Sequence, residues 1–183
     1  MKVIQFTLDD VNYVNVFLAY EEATREAFLV DCGAFTKTML KTIKDYDLHL
    51  QFLLLTHSHY DHVDGLKTFK KQFTVPVYAA KSDYGEKIAA GETITFAGTD
   101  IQVFETSGHT PDGLSFFVKD AVFVGDAIFS GAVGGTTSRE FYWQQNQHVA
   151  QKILTLPDET RIYCGHGAPS LVGVERLYNP FFT

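Results

Sequence analysis

The stretch "LLLTHSHYDHVDG", residues 53–65, places three histidines and an aspartate within six positions, directly after a run of leucines. The apolar run "LQFLLLT", residues 50–56, reads as a strand buried on both faces. Four polar side chains at its end gain nothing from a core and would crowd one another at a surface. Something has to gather them. His57, His59, Asp61 and His62 form the pattern H-x-H-x-D-H. In extended backbone, residues two apart point the same way, so His57 and His59 can hold one ion together. Asp61 and His62 are adjacent and point apart, which suits a second ion close to the first. Imidazole and carboxylate without a competing thiolate suit zinc, iron or manganese.

Two metals need more ligands than these four. Three later strand ends offer them: "ETSGHTPDG" with His109, "VFVGDAIF" with Asp126 and "IYCGHGAP" with His166. Each of the three follows a glycine, which frees the backbone to turn sharply and aim a side chain inward. A lone histidine in a loop is usually solvated, and a lone aspartate after a strand usually serves a turn. Asp61 alone reads equally as an N-cap of the following helix. Yet five of the seven histidines belong to this set, which leaves His49 and His148 as expected surface residues.

The rest of the chain supplies a scaffold. At 183 residues, 45% hydrophobic and 20% charged, it has the length and composition of one globular domain over residues 1–183. A net charge of −7 argues against nucleic acid or an anionic membrane as partner. The N-terminus "MKVIQFTLDD" lacks the apolar stretch of a signal peptide, and no window approaches a membrane span. A cytoplasmic location is therefore expected, with Cys32 and Cys164 as free thiols.

Strand patterns occupy "KVIQFTL", "NYVNVFLAY" and "EAFLVD", then a helix "AFTKTMLKTIKDYD", the strand with the histidines, a helix "VDGLKTFKKQF" and a short strand "VPVY". The second half repeats the rhythm: strands "ETITFAG", "DIQVFET", "LSFFVK" and "AVFVGD", a helix "QQNQHVAQKILTL", the strand "RIYC", and a last helix to about Tyr178 that Ser170 would cap. Sheet, helix, sheet, helix predicts a sheet sandwich covered by helices. There is also an internal echo: "EAFLVDCG" with "DAVFVGDA", and "FLLLTHSH" with "RIYCGHGA". It implies two related halves that meet at one site.

These motifs, H-x-H-x-D-H, then "GHTPDGLSF", "GDAIF" and "YCGHGAP" in order, resemble the metallo-β-lactamase superfamily from about "NVFLAY" to "ERLYNPFF". The segments "LTLPDETRIYCGHGAP" and "ERLYNPFF" are most similar to its short glyoxalase II-like hydrolases. The resemblance implies an α/β fold, an αββα sandwich of two mixed β-sheets flanked by helices, with the metals at one edge. It implies that His57, His59 and His109 hold the first ion, that Asp61, His62 and His166 hold the second, and that Asp126 bridges them. It also implies a supporting role for Asp31 beside the first-metal histidines; the local reading, a turn residue before Gly33, stands next to it.

Two divalent metal ions, zinc expected and iron or manganese as alternatives, lower the pKa of a shared water from ~15.7 to about 7. The expected reaction is hydrolysis of a small-molecule thioester or ester, with Asp61 orienting the attacking hydroxide as the catalytic carboxylate. Two departures bear on the substrate. Glyoxalase II-like relatives typically carry an arginine where this chain has Gly135, and Arg139 does not simply replace it. The chain also stops at Thr183, without the helical extension that contacts glutathione in longer relatives. The alternatives are a persulfide dioxygenase with one iron on His57, His109 and Asp126, a lactonase or β-lactamase, and a metal-binding module without turnover. Phe141, Tyr142 and Trp143 read as a pocket wall or as core, and Cys164 as a space-filler or a tuning residue of the site.

Overall fold

The computed structural model describes residues 1–183 and contains two six-stranded sheets. The first comprises β1 (Lys2–Leu8), β2 (Val14–Tyr20), β3 (Glu26–Val30), β4 (His49–Leu54), β5 (Val77–Ala79) and β6 (Glu86–Lys87), ordered as in the chain. The second comprises β7 (Thr93–Phe96), β8 (Thr99–Glu105), β9 (Leu114–Val118), β10 (Ala121–Gly125), β11 (Arg161–Cys164) and β12 (Ser170–Leu171), again in chain order. Both sheets are mixed. β3 runs parallel to β4, joined by helix α1 (Lys37–Asp45). β10 runs parallel to β11, joined by α4 (Arg139–His148) and one wider turn of π-helix over Val149–Ile153. The two echoing sequence pairs are these two crossover units, so the internal echo has a structural counterpart.

Alternation along the strands creates the layers. In β3, Phe28 and Val30 face the second sheet with Phe17, Ala19, Phe52 and Leu54, and meet Phe96, Phe116 and Phe123 across the interface. The intervening Ala27 and Leu29 pack with Leu18 and Leu53 against Met39 and Ile43 of α1 and Phe69 beyond β4. On the other side, Val122 and Val124 of β10 pack against Val149, Ile153 and Val172. The result is a helix–sheet–sheet–helix sandwich, the expected αββα architecture.

Local differences have physical causes. The helix expected over residues 63–73 is two single turns, α2 (Tyr60–Val63) and α3 (Leu66–Phe69), on either side of Gly65. Backbone of Cys32 and Ala34 comes so close there that a Cβ on Gly65 would lie 2.6 Å from each. Helix α4 begins five residues before the expected start, because the Ser138 hydroxyl accepts from the Phe141 amide and caps it. Phe141 and Trp143 therefore ride on a helix and stay exposed, so the core reading fails for both. The final helix α5 (Val172–Tyr178) has Leu171 at its cap, and the Ser170 hydroxyl instead donates to the Glu175 carboxylate.

Phe28 is fully buried and meets Phe52 at 5.5 Å, Phe96 at 4.7 Å and Phe123 at 5.8 Å between ring centroids. It thus joins the two sheets. Phe28→Ala is expected to cost about 3–5 kcal/mol, read from the denaturant midpoint, because the cavity opens where neither sheet can collapse alone.

Candidate metal centre

Both crossover units deliver their strand ends to one edge of the sandwich. Asp31 follows β3, His57 to His62 follow β4, Asp126 follows β10 and His166 follows β11. His109 joins them from the turn between β8 and β9. All seven candidate side chains converge, in two groups: His57, His59, His109 and Asp126, and Asp61, His62 and His166. In each group the donor atoms lie within 4.8 Å of one another. Asp126 reaches both, with one oxygen 3.4 Å from His62 Nε2 and the other 3.4 Å from His109 Nε2 and 3.5 Å from His166 Nε2.

The glycines before these residues act in two ways. Gly125 has φ +52, so it turns the chain into Asp126 through a conformation most side chains avoid. Gly165 needs room instead: a Cβ there would lie 2.1 Å from Asp126 Oδ1 and 2.7 Å from the His62 ring.

Hydrogen bonds behind the rings decide which nitrogen faces inward. His62 Nδ1 donates to Asp31 Oδ2 at 2.8 Å. His57 Nδ1 lies 3.1 Å from the Thr56 hydroxyl, which itself donates to Asp31 at 2.8 Å. His109 Nδ1 donates to the Gly135 carbonyl at 2.6 Å. Each ring then turns its Nε2 toward the centre, where it offers a lone pair whenever the ring is neutral. His57 Nε2, His62 Nε2 and Asp126 Oδ1 are buried with no hydrogen-bond partner, and His109 Nε2 faces His59 Nδ1 at 2.9 Å. Buried polar atoms are nearly always paired. A divalent cation satisfies this donor set, and its chemistry fits one.

The two buried rings titrate in opposite directions. Burial, then the His62 charge, pushes the His57 ring down to about 2, so it stays neutral and ligand-ready. Burial opposes charge on His62 too, but the Asp31 and Asp126 carboxylates overcome it and raise that ring to about 10. Burial would likewise raise Asp126, yet the close approach of His166 and His62 holds its carboxyl well below the usual range. A proton on His62 thus occupies space that a cation would claim, and ion uptake would displace it.

Asp31 sits elsewhere than expected. It contacts His62 directly and His57 only through Thr56, so its direct partner belongs to the second group. It is buried, with φ +60, a left-handed conformation that aspartate tolerates and that occurs at strained functional positions. His148 is also corrected: it is half-buried, and its Nδ1 donates to the Ser107 carbonyl at 3.0 Å. Cys32 and Cys164 are free and buried, and burial pushes their thiols up to about 12 and about 11. Arg139 is exposed at the start of α4.

Sequence reasoning missed Thr56, Asn12, Asn15 and Lys81. Asn12 donates to Asp61 Oδ2 at 2.8 Å, and Lys81 Nζ donates to the hydroxyl of Ser58, between His57 and His59, at 2.6 Å. A cavity of about 10 Å³ lies behind His57 and His109, lined by Thr56, Thr106 and Thr110. A larger groove of about 430 Å³, beside Glu26 and Gln51, lies toward the N-terminal ends of β3 and β4 and is lined by none of the seven candidate residues. Asp31→Asn is expected to weaken retention of divalent ions about 10–100-fold in competition with a chromophoric chelator, with an unchanged far-UV circular dichroism spectrum.

Comparison with known proteins agrees with this geometry. The Metallo-beta-lactamase superfamily pattern matches residues 9–91 and 85–166. The chain is 27% identical over 187 residues to hydroxyacylglutathione hydrolase GloC of Haemophilus influenzae, covering 87% of this chain and 88% of that one. It is 30% identical over 174 residues to a hydroxyacylglutathione hydrolase of Pelagibacter ubique, covering 91% and 70%. Among solved structures, BLEG-1 B3 metallo-beta-lactamase superposes with a TM-score of 0.89 at 25% identity over the whole of both chains. ETHE1 from Myxococcus xanthus gives 0.86 at 27% identity, covering 98% of this chain and 84% of that one. A di-iron-bound form of TTHA1623 gives 0.78 at 25% identity, covering 97% and 99%. With its sandwich, its His/Asp cluster and a pattern match spanning most of its length, the chain belongs to the metallo-β-lactamase superfamily.

Proposed function

We propose that residues 1–183 act as one metallo-β-lactamase-like domain that hydrolyses a small thioester with two divalent ions, zinc in the first instance. His57, His59 and His109 hold one ion, Asp61, His62 and His166 the other, and Asp126 serves both. The observation that carries this reading is the set of buried, unpartnered atoms, His57 Nε2, His62 Nε2 and Asp126 Oδ1, at the boundary of the two groups. The relatives named hydroxyacylglutathione hydrolase, and the di-iron form of TTHA1623, support both the reaction class and the two-ion count.

Such ions, when bound, supply Lewis acidity and lower the pKa of a water between them from ~15.7 to about 7. The chain's own residues do the rest. Asp61 accepts a hydrogen bond from the attacking water and orients it toward the thioester carbon. Water oxygen bonds to that carbon and the carbon–sulfur bond breaks; the acyl part leaves as carboxylate, the thiolate departs without a strong general acid and takes up one of the water's protons, and the other passes to solvent. Asp31 and Thr56 hold the rings of His62 and His57 in place while this happens. Lys81 Nζ lies between the Ser58 hydroxyl and the Asp112 carboxylate, 3.4 Å from the latter, and braces the loop that carries His57 and His59. Gly135, where related enzymes carry arginine, leaves open space: a Cβ there would meet nothing within 4 Å. That opening favours an acyl thioester whose thiol part is gripped differently from that of the arginine-bearing relatives.

The second reading, a one-iron persulfide dioxygenase, would use His57, His109 and Asp126 and leave Asp61, His62 and His166 without a task. The relatives named hydroxyacylglutathione hydrolase favour the hydrolase. A thioester panel starting with S-lactoylglutathione tests this, followed by thiol release. Zinc-loaded protein is expected to release thiol and to lose that activity with a chelator. Oxygen consumption with glutathione persulfide, and no thiol release from any thioester, would overturn the hydrolase reading.

A further inference from the structure

The turn between β1 and β2 reaches into the second group only. Val14 N donates to Val11 O at 3.0 Å, and Asn12 and Tyr13 between them have φ +52 and +54. The two left-handed residues form a tight turn inside the loop, residues 9–13, that joins the paired strand ends Leu8 and Val14. Asparagine is at home in the first central position, but tyrosine occupies the second, where glycine is the usual residue. From this turn Asn12 Nδ2 donates to Asp61 Oδ2 at 2.8 Å, and the same oxygen lies 3.5 Å from His166 Nε2.

The hairpin also holds the loop that carries His166. Val14 pairs with His166 as an antiparallel bridge, and Asn15 N donates to Gly165 O at 2.7 Å. The fully buried Asn15 side chain donates to Cys164 O at 3.0 Å and Gly167 O at 2.9 Å. Its own oxygen accepts from Gln5 and Thr7 of β1, at 2.8 Å each. The first group is held from other directions: His57 by Thr56, and His109 by Gly135.

We infer that Asn12 is a positioning residue for the second ion: its carboxamide N–H fixes Asp61 Oδ2 toward His166, so the β1–β2 hairpin sets the affinity of the second position independently of the first. A carboxylate oxygen has lone pairs for both an amide donor and a cation, so the two interactions are compatible. A hydrogen bond to a carboxylate is charge-assisted, and it removes the freedom of Asp61 to rotate away when no ion is present. Asn15 and the Val14 bridge fix the other ligand of the pair, His166. The inference rests on the two-ion reading above.

The test is the occupancy of zinc-loaded protein dialysed against a series of buffered free-zinc concentrations, with zinc per chain read by elemental analysis. Asn12→Gly is the variant of choice, since glycine keeps the left-handed backbone and removes only the carboxamide. Wild-type protein should lose its two ions in two steps. In Asn12→Gly one of the two steps should move to free zinc at least about tenfold higher, with the other step unmoved. A loss of packing alone would move both steps together. Tyr13→Gly, which relaxes the same turn and keeps Asn12, should leave both steps in place. Unmoved steps in Asn12→Gly, or steps that shift together, would overturn the inference alone. Saturation at one zinc per chain in the wild type would overturn the two-ion reading and the inference with it.

Discussion

Asp126 stands 3.4–3.5 Å from imidazole nitrogens of three separate loops, those of His62, His109 and His166. One of its oxygens, and two of the ring nitrogens at the centre, are buried without a hydrogen-bond partner. Leaving such groups unpaired costs free energy that a domain of marginal stability tolerates only where something else is returned. On the reading proposed above, divalent cations would supply that return. The ligands, the hydrogen bonds behind them and the glycines that admit them are all arranged around this one constraint.

The scaffold meets it by using the same device twice. In each sheet a parallel strand pair, linked by a helical crossover, ends at the site: β3 and β4 in one, β10 and β11 in the other. Loops at the carboxyl ends of parallel strands are free to carry polar residues because the ladder has already paired the backbone behind them. The strands bring apolar side chains to three separate packing layers, so the position of each strand end is fixed by burial on both faces. Phe28 and its aromatic neighbours then lock one sheet against the other. Geometry between ligands from different sheets depends on that contact.

Much of this was legible in the chain. His57, His59, Asp61 and His62 lie close enough in sequence to point to a shared partner, and His109, Asp126 and His166 each carry the mark of a strand followed by glycine. The alternation of the strands and the spacing of Met39 and Ile43 sufficed for the layers. The supporting residues were not legible in the same way. Asp31 meets His62 across 31 positions, Asn12 meets Asp61 across 49 and Asn15 meets Cys164 across 149, and no local pattern records such pairings. Gly65 split an expected helix through a close approach of the Cys32–Ala34 backbone, another long-range fact. The two-residue strands β6 and β12 are too short to show any period.

The most direct measurement of the central claim is anomalous diffraction from crystals of zinc-loaded protein, collected at the zinc edge. The account predicts two peaks on either side of Asp126, one among His57, His59 and His109 and one among Asp61, His62 and His166. A single peak, or peaks away from Asp126, would contradict it.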